Sequence, residues 1–148
     1  MHRFNILAAG ALLAATTALA GCEMMGMGSN TKSLHATLNS GQEVPPTKSN
    51  GSGNGDFTLD PSTKQLSWKI TYAGMTGDPT AAHIHGPAAP GTNAGVVINL
   101  APSGLKNPIE GSTTLTDAQL ADLMSGKDYV NIHTAQNKGG EIRGQIMP

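Results

Sequence analysis

The stretch Gln65-Leu66-Ser67-Trp68-Lys69-Ile70-Thr71-Tyr72 alternates without a slip: Leu66, Trp68, Ile70 and Tyr72 share one parity, Ser67, Lys69 and Thr71 the other. Successive side chains of an extended backbone point to opposite faces, so this period of two specifies a strand with one side in a core and one in water. A helix would need apolar residues three and four apart instead. Working outward, short runs of similar character fall at Leu34–Asn39, Gly55–Asp60, Thr80–His85, Gly95–Leu100, Ile109–Leu115, Tyr129–Thr134 and Glu141–Met147. Turn-forming clusters separate them: Gly41-Gln42-Glu43-Val44-Pro45-Pro46, Asp60-Pro61-Ser62-Thr63 and the loop Gly86–Gly95. Eight short strands with turn signals between them predict an all-β antiparallel sandwich or barrel.

One segment departs from the pattern. Thr116 is an N-cap candidate, Leu120, Leu123 and Met124 recur at helical spacing, and Gly126 stands where a C-terminal cap belongs. A single short helix is expected here, over an open end of the barrel.

The first residues concern location rather than fold. His2 and Arg3 precede an uncharged run from Phe4 to Ala20, which ends in Leu19-Ala20-Gly21-Cys22. A basic start, an apolar middle and small residues at a cut site make a secretory signal. Small residues leading directly into cysteine resemble the lipobox of bacterial lipoproteins. The resemblance implies cleavage after residue 21, lipid on Cys22 and anchorage in the bacterial cell envelope, facing the periplasm or the exterior. Several acyl chains together, at about 0.8 kcal/mol per buried CH₂, hold such a protein firmly. Residues 22–33, with Met24, Met25 and Met27, read as a flexible tether, and 34–148 as the folded domain.

Composition removes several chemistries. Cys22 is the only cysteine, so an internal disulfide is excluded, and with its thiol taken by lipid a thiolate metal site and a cysteine nucleophile are excluded too. The net charge is −1 with no basic run, which argues against nucleic acid. No Gly-x-Ser-x-Gly or glycine-rich phosphate loop occurs. The acidic residues are scattered and read as solvated.

The histidines carry the functional signal. His83 and His85 stand two apart on one strand and share a face, with Ala82 and Ile84 on the other. In Tyr129–Thr134, Val130 and Ile132 claim the core, which turns Tyr129, Asn131 and His133 outward. Ile142 and Ile146 likewise turn Glu141, Arg143 and Gln145 outward. His83, His85, His133 and Arg143 are therefore all expected on the outer surface of the sheet, although parity does not say which strands are neighbours; exposed, unpaired histidines are the alternative to a metal site. Imidazole suits copper and zinc, and His-x-His on a strand sets two nitrogens at a nearly constant separation. Three nitrogens suit Cu(I), Cu(II) with added water, or a zinc site with an open position. His35 also faces outward and reads as solvated, with a fourth-ligand role as the alternative. The methionines of the tether offer soft thioethers for Cu(I), or are simply part of the tether.

Leu34-His35-Ala36-Thr37-Leu38 with Gln42-Glu43-Val44-Pro45-Pro46, then Ala82-His83-Ile84-His85-Gly86, Tyr129-Val130-Asn131-Ile132-His133-Thr134 and Gly140-Glu141-Ile142-Arg143-Gly144-Gln145, resemble the chordin-type (CHRD) domain. The match runs from about Leu34 to Ile146. His35 departs from the family pattern. The domain is in turn similar to the copper/zinc superoxide dismutase barrel, which implies an eight-stranded Greek-key fold. By that likeness His83, His85 and His133 are copper ligands and Arg143 guides the anion. The bridging histidine, the zinc ligands and the disulfide have no counterpart, so one copper ion and no zinc is expected. Three functions follow: a copper-only dismutase acting on superoxide, a non-catalytic copper-binding or delivery protein, or a structural module of the envelope.

Overall fold

The computed structural model describes residues 30–148. The signal segment, Cys22, Met24, Met25 and Met27 lie outside the described residues. In chain order the strands are β1 Lys32–Asn39, β2 Ser52–Asp60, β3 Gln65–Ala73, β4 Pro79–His85, β5 Val96–Asn99, β6 Ile109–Thr114, β7 Tyr129–Thr134 and β8 Ile142–Gln145. Each pairing is antiparallel, in the order β5-β4-β7-β8-β1-β2-β3-β6. β1, β2 and β3 follow one another directly, whereas β6 returns beside β3 and β7 beside β4. These over-and-back connections are those of a Greek key. The all-β, eight-stranded antiparallel architecture expected from the alternation is the one observed.

The sheet curls because its two halves share a single core. Leu34, Phe57 and Trp68 from one half pack in the same cluster as Ile84, Ile98, Val130 and Ile132 from the other. Trp68 occupies the core face of β3, opposite Phe57 on β2 and Gly111 on β6. A Cβ at Gly111 would sit 2.6 Å from the indole, so glycine makes the room. The indole N–H donates to the Leu100 carbonyl (2.9 Å), tying β3 to the chain leaving β5.

Strand ends differ from the sequence reading where pairing outruns patterning. β1 begins at Lys32 rather than Leu34, and β2 at Ser52 rather than Gly55. Ser52, Gly53 and Asn54 are held by ladders on both sides although they show no alternation of their own. β8 stops at Gln145, and Met147 pairs with His35 as an isolated bridge.

The helix α1 spans Asp117–Met124. The Thr116 hydroxyl accepts from the Gln119 N–H, and the Gln119 side chain accepts from the Thr116 N–H, a complete capping box. Leu123 is buried, with Leu120 and Met124 packed against the core. Gly126, at φ +68°, ends the helical segment in a conformation that glycine adopts at least cost. No described helix is long and apolar enough to cross a membrane.

Candidate metal centre

The register of three adjacent strands builds the site. His83 on β4 lies opposite Asn131 on β7, which lies opposite Arg143 on β8. One row along, His85, Tyr129 and Gln145 align in the same way. His133, two residues beyond Asn131, completes the same face. The parity argument therefore placed these side chains correctly, on the side away from the core.

Solvent is where the sequence reading needs correction. Every residue of β7 is buried on both faces, and His85, His133 and Arg143 are only 9 %, 8 % and 1 % exposed. Three loops fold over the outer face: the strap after β1, the 86–95 loop and the 135–140 turn. Only His83 is partly open. Parity reports which side of a sheet a residue takes, not whether a loop returns to cover it.

One ring nitrogen from each of His83, His85 and His133 lies within 4.8 Å of the others. His83 Nδ1 and His133 Nε2 are 3.3 Å apart. The loops orient the other two rings. His85 Nδ1 donates to the Ala94 carbonyl (3.0 Å), and His133 Nδ1 to the Lys138 carbonyl (3.0 Å). A carbonyl can only accept, so both Nδ1 atoms carry the proton and both Nε2 atoms keep a lone pair. His85 Nε2 is buried without a hydrogen-bond partner among the described residues. Burial lowers the affinity of all three imidazoles for a proton, and mutual repulsion adds to this at His83. Neutral imidazole is the form in which histidine binds a metal. His35 is not in this group; it is exposed and bonds to Asp56 at 3.0 Å.

Arg143 lies beneath the 86–95 loop rather than at an open mouth. Its Nη1 donates to Asn93 Oδ1 (3.2 Å) and its Nη2 to the Thr92 carbonyl (2.9 Å). Its Cζ stands 3.5 Å from the centre of the Tyr129 ring. The other stacking partner of Tyr129 is His85, at 5.2 Å and 9°. Since β4 and β8 flank β7, the phenol stands between the two.

The acidic residues correct a second expectation, because Glu43, Asp128 and Glu141 are buried, not solvated. Glu141 accepts from Ser49 Oγ, Thr76 N, Thr76 Oγ1, Thr134 Oγ1 and Asn137 Nδ2. Burial alone would raise its pKa, but these hydrogen bonds outweigh it and bring the carboxyl down to about 2. This knot gathers the strap, the segment before β4 and the turn whose Lys138 carbonyl orients His133. Glu43 is pushed up to about 7 by burial, against the pull of Arg143 and the Asn131 amide. Burial likewise lifts Asp128 to about 6. Glu43 and Val44 both line two clefts, of about 330 and 280 Å³.

The sequence reading gave no role to Tyr129, Asn131, Glu43 or Glu141. The outward parity of Tyr129 and Asn131, on the strand that carries His133, was the available signal. Nothing in the local pattern marked Glu43 or Glu141 as buried.

Residues 34–146 match the sequence model of a family described as CHRD domain. No curated protein and no solved structure matches the chain.

Proposed function

The chain belongs to the CHRD domain family, and from that premise we propose that it is a copper-binding lipoprotein of the bacterial envelope, anchored through Cys22, with dismutase-like action on superoxide. The observation that carries the metal reading is the convergence of three imidazoles within 4.8 Å, one of them holding a buried nitrogen that no described residue satisfies. An orphaned buried lone pair costs free energy, and a metal ion removes that cost. The donor set fits as well. It is all imidazole, with no carboxylate among the ligands, and the two Nδ1–H groups are held by backbone carbonyls as metal-bound histidines generally are.

His83, His85 and His133 would hold the ion. Copper there would supply one-electron chemistry, by which two superoxide anions and two protons become O₂ and hydrogen peroxide. The chain's contribution is orientation and shielding. Ala94 and Lys138 set the ring planes, Tyr129 backs His85, and His85 and His133 are buried while His83 is partly open. The anchor reading rests on Leu19-Ala20-Gly21-Cys22 following an apolar run.

A second reading, copper storage or delivery, is favoured by the position of Arg143, whose guanidinium is engaged by the 86–95 loop. Titration with Cu(II), followed by electron paramagnetic resonance, tests the shared premise. One equivalent bound with nitrogen hyperfine structure from about three imidazoles is the expected result. No binding, or a spectrum without imidazole nitrogen, overturns it and leaves an envelope interaction module. A superoxide assay on the loaded protein then separates enzyme from carrier, and metabolic labelling with a fatty acid, lost in Cys22→Ser, checks the anchor.

A further inference from the structure

We propose that Arg143 is a positioning residue: it clamps the 92–94 segment so that the Ala94 carbonyl holds the ring of His85, rather than presenting its charge to an anion. The inference rests on the metal-site reading only for its consequence, since the clamp itself is a property of the apo chain. Both Arg143 hydrogen bonds end on this segment, at Thr92 O and Asn93 Oδ1. The next residue, Ala94, accepts from His85 Nδ1 through its carbonyl and donates its N–H to the Tyr129 hydroxyl (3.0 Å). Tyr129 lies against Arg143 on one side and His85 on the other. Arg143, residues 92–94, His85 and Tyr129 thus close a ring of contacts.

The strap after β1 completes the clamp from outside. Asn93 Nδ2 donates to the Val44 carbonyl (2.9 Å), so Asn93 is held both from β8 and from the strap. Few other ties restrain the outer part of this loop: Gly86 N–H to Gly95 O, Ala88 N–H to Lys127 O, Thr92 N–H to Ala89 O within the loop itself, and Gln145 to Ala88 O. Pro90, Gly91, Thr92 and Asn93 are exposed. Without the guanidinium, the segment that orients His85 keeps little that is buried. Hydrogen bonds to a charged donor are the stronger kind, and losing two of them opens a loop more often. A side chain available for docking would look different. Arg143 is 1 % exposed, one face of its guanidinium lies on Tyr129, and Nη1 and Nη2 each already donate to the loop.

The test uses Arg143→Met, which keeps bulk, and Asn93→Ala, a mild change at an exposed position. In the apo wild type, nitrogen NMR should show His85 in one tautomer with its proton on Nδ1. In both variants that tautomer should become mixed, and the Ala94 amide should exchange with solvent roughly tenfold faster or more. Copper affinity should fall by roughly 10- to 100-fold in both, as for other groups that orient a ligand. Asp56→Asn, at the pair with His35 on β2, should leave all three readouts unchanged. If either variant folds and keeps the wild-type tautomer and exchange rate, the clamp is refuted. If Arg143→Met fails to fold, Asn93→Ala decides by the same readouts. If the wild type takes up no copper yet the variants release His85, the metal reading fails and the clamp stands.

Discussion

His83 Nδ1 on β4 stands 3.3 Å from His133 Nε2 on β7, although fifty residues of chain separate them. Burial keeps both rings neutral at ordinary pH, so at most one proton can lie between them. This contact brings the strand pair β4–β7 to a point where a third nitrogen, from His85, joins them.

Replacing any one of the three should therefore act on metal binding far more than on folding. His83→Ala, His85→Ala and His133→Ala should each weaken copper by more than roughly tenfold, since two imidazoles make a poorer site than three. His35→Ala, which removes an exposed ring bonded to Asp56, should leave affinity unchanged. Isothermal titration of the four variants checks this; equal loss in all four would disprove a localised site.

Glu141 should set the acid limit of the protein. Its folded pKa, about 2, lies below the ordinary 4.5, so the carboxylate's contribution is complete above pH 4.5 and is lost as pH falls towards 2. The shift corresponds to about 3 kcal/mol. Glu141→Gln should lower stability by a similar amount at pH 7, and its urea midpoint should vary less between pH 5 and 3 than that of the wild type. Identical slopes in the two proteins would show that the knot does not favour the charged form.

Glu43 should behave in the opposite way. Its carboxyl is raised to about 7, so the folded state binds a proton that the unfolded chain has already released above pH 4.5. Stability is lost as pH rises from 4.5 through 7, by at most about 3 kcal/mol. Glu43→Gln should accordingly stabilise the protein at pH 8 and do little at pH 4. A destabilised variant at pH 8 would mean that the partnership with Arg143 outweighs burial.

Gly140 should tolerate no side chain. Its φ is +130°, and a Cβ there would run into the buried Asn131 amide. Gly140→Ala should cost roughly 2–3 kcal/mol through strain and displacement. The turn that moves carries Lys138, so the His133 Nδ1 proton should also exchange faster. A thermal scan and the same imidazole NMR measure both effects, and an unperturbed His133 would show that Lys138 is held independently of Gly140.

The sequence by itself determined the strands, the capped helix and the side of the sheet that each histidine takes. Alternation is a local property: Leu66, Trp68, Ile70 and Tyr72 declare their face whatever else the chain does. Tertiary structure alone decided which strands become neighbours, because β4 meets β7 only through a return across the sheet. It also decided what covers the outer face. The burial of Glu43, Glu141 and Arg143 depends on loops whose paths follow from long-range hydrogen bonds, such as Thr47 to Glu141 and Asn93 to Val44. No period in a sequence encodes a loop folded back over a strand, so residues such as Glu141 and Arg143 can read as exposed by pattern and still be among the most enclosed charges of the described residues.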